Sequence, residues 1–371
     1  MSVRDLSAVI LSAGFSSRMG DFKPLLPLGP HTVVDQVVRT CRDAGIEDVL
    51  VVLGHNREAM RSHLQPSGVT LVDNPDFETG MFSSVQAGVS RLSPQSKGFF
   101  MMPVDIPLVR PWTIKLLGQA LVNSNADVIF PCFQGRRGHP PLIRQKIVPE
   151  IVRADRALTL RDILGRCQAD TLEVPDRNIL FDIDVMDDYR ELRIRWERMD
   201  IPTREECEVI CRSFGCSDDD VQAHCETVAA VAGRIGQALN DAGEHLDLNL
   251  IEAAALVHDM AKTKQNHAAV AGEWLSDMGF HRVGEIVAGH TDLDVQDDAT
   301  IGEAEVVYLA DKFVRGEIVE TLESRFQAAL TEHGHDPEIR QRIEARRKRA
   351  EKSKTRLESR LNRSLYDVIL K

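Results

Sequence analysis

Two groups of residues in this chain have the types and spacing that phosphate and metal chemistry require. The first lies in Ala8 to Lys23, which reads AVILSAGFSSRMGDFK. An apolar run, Ala8 to Leu11, leads into a small-residue loop, Ser12 to Gly20. Gly14 and Gly20 permit a sharp turn and close approach to a ligand there. Arg18 and Lys23 add two cations, and strand end, glycine loop and cations together make a seat for a phosphate chain. The loop lacks the Gly-Lys-Ser/Thr ending of a P-loop, and its glycine spacing is not that of the dinucleotide fingerprint. The second group is His224, His258, Asp259, His267, His290 and Asp311. Imidazoles with carboxylates suit Fe, Mn or Zn better than Mg²⁺ alone. His258 and Asp259 close an apolar helical run, and Lys262 falls one helical turn beyond His258 on the same face. Val307, Asp311 and Val314 share one helical stripe, so Asp311 points to apolar surroundings and needs a partner, for which a metal is suited.

The elements that must position the first group alternate strand and helix up to about residue 198. After a helix near Val33 to Ala44, strands are expected at 48–54, 69–73, 98–104 and 127–133, with a late one at 179–185. Such alternation implies a mostly parallel, Rossmann-like sheet covered on both faces. Ligands then bind beyond the carboxyl ends of the strands. Asp105 follows the run Phe99 to Val104 and so reaches the same rim as Gly14. There it suits Mg²⁺, which favours one or two carboxylates with phosphate oxygens and water; the plainer alternative is a cap for the helix starting near Pro111. Asp182 and Asp184 alternate along the late strand, so only one of them can face the site.

The stretch Leu11, Ala13, Gly14, Ser16, Arg18, Met19, Gly20 and Lys23 resembles the signature of the MobA-like nucleotidyltransferases, Leu-x-Ala/Gly-Gly-x-Ser-x-Arg-Met-Gly followed by Lys. The resemblance covers about the first 195 residues. It implies that Leu11, Ala13, Gly14, Arg18 and Lys23 bind a nucleoside triphosphate, with Asp105 holding Mg²⁺. In that family Asn74 and a Gly-x-x-x-Ser element, here Gly80 and Ser84, help hold the nucleotide; a simple helix cap by Ser83 or Ser84 fits equally. The loop Arg136, Arg137, Gly138, His139 matches a Gly-x-x-Gly-His-Pro loop of the family, implying an acceptor pocket, although the two arginines also suit a solvated loop. FDIDVMDDY, Phe181 to Tyr189, departs modestly from Asp-Ile-Asp-Thr-Pro-Glu-Asp, with Val185 and Met186 in place of Thr-Pro. The match makes Asp184 the second Mg²⁺ ligand, with Asp182 the alternative. The implied reaction is nucleotidyl transfer with release of pyrophosphate. Ser-Ala-Gly at 12–14 and the GRRGHP loop are more like the cytidylyltransferases of molybdenum cofactor, so CTP and a molybdopterin-type acceptor are favoured, with a molybdoenzyme or its chaperone as an expected partner. A sugar-phosphate or other phosphate acceptor is the alternative, because fold analogy does not settle an acceptor.

Beyond a proline-containing linker at 199–204 the periodicity is helical almost throughout, with no convincing strand. The order His…His-Asp…Asp, with His267 and His290 in addition, resembles the dinuclear HD phosphohydrolases over about 205–330. That resemblance implies two metals shared by the six ligands, Asp259 bridging them and Lys262 steadying a leaving phosphate. A nucleotide-binding regulatory module without turnover is the alternative role. His245, His281, His333 and His335 fit no such role and are expected at the surface.

Composition narrows the field. A chain of 371 residues points to two domains, and 43% hydrophobic residues suffice for buried cores. A net charge of −12 argues against nonspecific nucleic-acid binding. No apolar run reaches membrane-spanning length and the N-terminus lacks a signal-peptide pattern, so a cytoplasmic location is expected. Four of the seven cysteines lie between Cys207 and Cys225 without any C-x-x-C, which favours buried thiols over a disulfide framework or metal cluster. Glu338 to Lys371 reads as a charged helical tail, solvated or partner-facing, with nucleic-acid contact the sharper alternative. The reading is therefore an α/β nucleotidyltransferase domain (1–198), the linker, an all-α HD phosphohydrolase domain (205–335) and the tail (336–371).

Overall fold

The computed structural model describes residues 3–14, 22–214, 219–296 and 300–370. The chain divides into two compact units, residues 1–198 and 199–371.

In the first unit, β1 (Leu6–Ser12) is followed by a small hairpin, β2 (Pro27–Leu28) and β3 (His31–Thr32), and by α1 (Val33–Asp43). Then come β4 (Asp48–Leu53), α2 (Arg57–Leu64), β5 (Thr70–Asp73), α3 (Met81–Val89), β6 (Gly98–Pro103), α4 (Pro111–Asn123), β7 (Val128–Phe133), β8 (Arg136–Arg137) and β9 (Leu142–Arg144). The unit ends with α5 (Val148–Arg153), α6 (Leu160–Leu164), β10 (Ala169–Glu173) and α7 (Met186–Glu197). The main sheet runs β10-β7-β9-β6-β1-β4-β5, with β8 paired to β7. β1 pairs in parallel with both β4 and β6, whereas β9 is antiparallel to its neighbours β6 and β7.

Burial follows from this order. Ala8, Val9 and Ile10 are fully buried because β1 is central and covered on both faces. Val9, Leu50, Val52, Phe99 and Met101 pack with Val85 and Val89 of α3 and Ile151 of α5 in one core. Helix α1 starts on a capping box in which Thr32 accepts from the Asp35 N–H and Asp35 answers the Thr32 N–H. Since β1 hydrogen-bonds to β4 on one side and β6 on the other, its carboxyl end opens a crevice at the point where strand order reverses.

Two sequence expectations change here. Residues 179–185 are not a strand: a short 3₁₀ turn, Arg177–Leu180, leads into irregular chain, and the last strand is β10. The reason lies in Asp176, whose carboxylate accepts the Arg110 and Asn178 N–H groups and the Thr113 hydroxyl, winding the chain away from the sheet. Ile179 and Ile183 are each fully buried without strand alternation. The antiparallel β8 and β9 escaped the periodicity because they are only two and three residues long.

The second unit comprises α8 (Arg204–Phe214), α9 (Asp219–Asp241), α10 (Leu248–Val257), α11 (His267–Asp277), α12 (His281–Gly289), α13 (Glu303–Lys312), a hairpin of β11 (Val314–Arg315) and β12 (Ile318–Val319), α14 (Leu322–His333), α15 (Pro337–Leu361) and α16 (Tyr366–Ile369). The hairpin, with two residues in each strand, is a small addition to a unit that is otherwise helical as expected. Helices α11 and α12 cross at Gly272 and Gly284, where an added Cβ on Gly284 would lie 2.7 Å from the Gly272 carbonyl oxygen. This close crossing sets the start of α11 beside the end of α12.

Residues 336–370 are integral to this unit. Ala350, Ser353 and Leu357 of α15 are buried, as are Leu365 and Ile369. The basic side chains are matched by local carboxylates: Arg356 Nε lies 3.2 Å from Glu305 Oε1, Arg347 pairs with Glu351, and Arg360 with Glu244. Among the described residues no helix is long and apolar enough to cross a membrane.

Candidate functional site

A cavity of about 390 Å³ opens at the carboxyl ends of β1 and β6. Its lining includes Leu11, Ala13, Gly14, Lys23, Gly80, Ser84 and Asp105. Lys23 is buried at 8% exposure; its Nζ donates to the Ile183 carbonyl and lies 3.6 Å from Asp184 Oδ1. The Ile183 N–H in turn donates to the Asp105 carbonyl at 2.9 Å, and Tyr189 Oη donates to Pro27 O at 2.5 Å. These bonds tie residues 183–189 to Lys23, Pro27 and Asp105. Burial pushes the Asp105 carboxyl up; the Lys23 ammonium opposes this, and the Asp182 and Asp184 carboxylates add to it. Both aspartates therefore stand near Asp105. Neither lines the cavity, and strand alternation does not choose between them because the segment carrying them is not a strand.

The wall at Gly80 is a helix start. Gly80, at φ +117°, precedes α3, and Met81 and Ser84 line the cavity with it. No side chain caps this helix: Ser83 Oγ instead donates to the Gly80 and Asp76 carbonyls, so neither serine is the simple cap. Asn74 does not line the cavity. Its Nδ2 donates to Ser83 Oγ at 2.8 Å and Ser84 Oγ at 2.9 Å, and its Oδ1 accepts the Asp76 N–H, so it positions the helix start. Arg136 and Arg137 are exposed on β8, after a tight turn with positive φ at Gln134 and Gly135, and Arg137 stacks 5.0 Å from the Phe130 ring centroid. Gly138 packs so closely that a Cβ would fall 2.5 Å from the Ile179 carbonyl oxygen. The His139 N–H donates to that same carbonyl at 2.9 Å. Neither arginine lines the cavity described above. Arg18, with Ser16, Met19 and Gly20, lies outside the described residues.

In the second unit six side chains converge from five helix ends or faces. His224 comes from α9, His258 and Asp259 follow α10, His267 opens α11, His290 follows α12, and Asp311 closes α13. The carboxyl ends of α10, α12 and α13 thus meet here, and their partial negative charge favours a cation. Asp259 belongs to two overlapping triads of ligand atoms within 4.8 Å of one another, one with His224 and His258, the other with His267 and His290. Asp311 Oδ1 lies 3.3 Å from His224 Nε2 and 3.8 Å from His258 Nε2.

Three of the imidazoles are oriented alike. Nδ1 of His258 lies 2.8 Å from Ala255 O, that of His290 lies 2.7 Å from Val287 O, and that of His224 lies 2.9 Å from Gly316 O. A carbonyl only accepts, so the proton sits on Nδ1 and the lone pair of Nε2 faces the centre. His258 Nε2 is buried without a hydrogen-bond partner. That orphaned atom, among imidazoles and carboxylates, is what a divalent transition metal fits. Burial pushes the His258 imidazole down to about 4, which keeps it neutral and ready to ligate. Burial raises the Asp259 carboxyl, but His290, His258 and Lys262 outweigh it and hold it well below the usual range. Asp311 is likewise held low, burial being outweighed by Lys312, His224, His258 and Arg325.

Two local details differ from the sequence reading. Helix α10 stops at Val257, and 258–263 is a run of turns, so Lys262 does not share a helical face with His258; its Nζ instead donates to Asp259 Oδ2 at 2.8 Å. Val314 belongs to β11, not to the stripe of Asp311, and Asp311 already has a cation beside it in Lys312. His245, His281, His333 and His335 are exposed. Cys207 and Cys211 are buried with their thiols toward the Ala253 and Leu256 carbonyls.

Comparison with known proteins assigns both units. Residues 8–171 match the MobA-like NTP transferase domain, and residues 221–316 match the HD domain. The chain joins a MobA-like NTP transferase unit to an HD unit. The transferase unit is similar to an Escherichia coli (strain K12) protein named molybdenum cofactor cytidylyltransferase, 26% identical over 52% of this chain and 97% of that protein. It is also similar to the nicotine blue oxidoreductase of Paenarthrobacter nicotinovorans, 30% identical over 39% of this chain and 74% of that protein. Among solved structures, that of Rv0371c from Mycobacterium tuberculosis H37Rv is 26% identical, with a TM-score of 0.45, over 52% of this chain and 100% of that one.

The structure also brings forward residues that the motifs missed. In the transferase unit, Phe77 and Glu78 line the cavity, and the 3₁₀ turn that carries them is too short to leave a periodic signal. In the HD unit, Thr291, Arg315 and Arg325 line a cavity of about 540 Å³ with the six ligands and Lys262, apart from the fully buried His258. Arg325 sits fourteen positions beyond Asp311 and is returned to it by the β11–β12 hairpin, a proximity that spacing along the chain does not reveal.

Proposed function

We propose that the transferase unit moves a nucleotidyl group from a nucleoside triphosphate, CTP being favoured, to a phosphate oxygen of a molybdopterin-type acceptor. The observation that carries this reading is that Ser12, Ala13 and Gly14, Lys23, the Gly80 helix start and Asp105 share one cavity. Choice of CTP and acceptor is supported by the name of the Escherichia coli relative and by Ser-Ala-Gly at 12–14. In the reaction an acceptor oxygen bonds to the α-phosphorus, the bond to the β-phosphate oxygen breaks, and pyrophosphate leaves. The ammonium of Lys23 offsets charge on the triphosphate, and the amino end of α3, at Gly80 and Met81, lines the same cavity. Asp105, with Asp184 or Asp182, would hold Mg²⁺; mutual repulsion of these carboxylates around one half-buried group is what a divalent cation relieves. When bound, that ion neutralises charge developing on the phosphates. No general base is needed if the acceptor is an ionised phosphate.

The HD unit is proposed to be a metal-dependent phosphohydrolase. His224, His258, Asp259, His267, His290 and Asp311 would hold one or two ions such as Fe, Mn or Zn. The metal supplies Lewis-acid polarisation of a phosphoryl group and a nucleophile at neutral pH. Lys262 and Arg325 stand where they can meet phosphate oxygens.

Pyrophosphate release should be followed with each nucleoside triphosphate, with and without molybdenum cofactor and with sugar phosphates as competing acceptors. Release with CTP only when the cofactor is present supports the reading; preference for a sugar phosphate replaces the acceptor. Hydrolysis of p-nitrophenyl phosphate that is lost in His258→Ala supports the hydrolase, whereas nucleotide binding without any turnover favours a regulatory module.

A further inference from the structure

The cavity at the HD centre is larger than one phosphoryl group requires. It measures about 540 Å³, whereas orthophosphate displaces about three waters, on the order of 100 Å³. One wall is the β11–β12 hairpin, turned at Gly316 with φ +58°. The Gly316 carbonyl accepts from His224 Nδ1, so this hairpin is fastened to the ligand set. It carries Arg315, whose side chain is 60% exposed and lines the cavity.

Arg315 is held in place from behind. Its Nε donates to Glu320 Oε1 at 2.8 Å, and the other oxygen of Glu320 accepts from Ser324 Oγ at 2.8 Å. Glu320 is 8% exposed and its N–H bonds to Phe313 O at 2.8 Å, so the carboxylate is a fixed support. One contact at Nε leaves the other guanidinium donors for a ligand. Arg325 donates to the Val314 carbonyl, and its Nη2 lies 4.0 Å from Asp311 Oδ1 on the same cavity. Two guanidiniums therefore flank the ligand set on its hairpin side. The exposed Asp220 is the one lining carboxylate outside that set among the described residues.

We propose that Arg315 and Arg325 form a subsite for a second phosphoryl group, so that the HD unit selects a phosphoanhydride with at least two linked phosphates over an isolated monoester. This rests on reading the HD unit as a phosphohydrolase. In the reaction, the oxygen of water bonds to one phosphorus and the bridging P–O bond breaks. Its electron pair departs on the phosphate held by the arginines, and the protons of water are shared between the two phosphate products and solvent. Pyrophosphate, the product proposed for the transferase unit, belongs to this substrate class.

The test is calorimetric titration of the full chain with pyrophosphate and with orthophosphate in Mn²⁺, in an Asp105→Asn background that weakens pyrophosphate binding at the transferase cavity. Arg315→Ala should weaken pyrophosphate at least tenfold and orthophosphate less than threefold. Arg315→Lys and Glu320→Gln should give intermediate losses for pyrophosphate, which keeps the test valid if the alanine variant folds poorly. Equal weakening of both anions in Arg315→Ala, or none, overturns the subsite. Absence of turnover with intact, arginine-dependent pyrophosphate binding would instead sink only the hydrolase reading.

Discussion

Loading the metal-free chain with Mn²⁺ should raise the melting temperature of residues 199–371. The reasoning starts from the orphaned Nε2 of His258, whose imidazole is 0% exposed and whose Nδ1 is already committed to Ala255 O. Binding to the folded state alone stabilises by about 2.7 kcal/mol at a free metal concentration 100 times the dissociation constant. A unit of this size shifts by about 2–4 °C per kcal/mol, so the expected rise is roughly 5–11 °C. Removing a ligand should cost at least the ~100-fold that loss of a supporting group costs. At the same metal concentration the stabilisation then falls to about 0.4 kcal/mol, or roughly 1–2 °C. The assay is differential scanning calorimetry of wild type, His258→Ala and Asp105→Asn, each with metal and with chelator, since two units need not melt together. Using the metal-dependent shift cancels the cavity cost of His258→Ala itself. An equal shift in His258→Ala, or none with Mn²⁺, Fe²⁺ or Zn²⁺, refutes the argument; Asp105→Asn should retain it.

Other outcomes follow from the same geometry. Asp105→Asn should lower nucleotidyl transfer by about 10²-fold or more while hydrolysis by the HD unit persists, measured as pyrophosphate release against p-nitrophenol release. Asn74→Ala leaves two buried serine hydroxyls and the Asp76 N–H short of partners, and should cost about 2–3 kcal/mol in the urea unfolding of the first unit. Leu357→Ala should destabilise the second unit by about 2–5 kcal/mol, because this residue of the basic tail is 0% exposed. The Asp35 carboxyl is raised by burial but lowered further by Thr32 and His63, leaving it below its ordinary value. A carboxyl depressed on folding adds stability above its unfolded value, and that stability is lost as pH falls through the folded one. The melting temperature of the first unit should thus fall more steeply below about pH 4 in wild type than in Asp35→Asn.

Much of this was legible in the chain itself. The buried run of β1 with its glycine loop, and Asp105 just after β6, were visible because a central strand covered on both faces must be continuously apolar, so the first polar residue past its end marks the rim. The six HD ligands were visible by type and order. The segment 179–185 reads as a strand because Phe181, Ile183 and Val185 alternate with Asp182 and Asp184, while the competing hydrogen bonds to Asp176 come from Arg110 and Thr113, more than sixty positions away. The family resemblance implies a nucleotide contact for Asn74, and only the tertiary positions of Ser83 and Ser84 show that its amide also bonds the start of α3.

Residue order by itself determined which side chains are available: glycine loop, cations, carboxylates and imidazoles, and the division into an α/β and a helical part. Tertiary structure decided which of them meet. Helix ends separated by tens of residues converge on Asp259, the Gly272–Gly284 crossing seats His267 against His290, and the β11–β12 hairpin returns Arg325 to Asp311. Local propensity acts over a few residues, whereas these encounters depend on packing between elements remote in sequence, which no periodic pattern encodes.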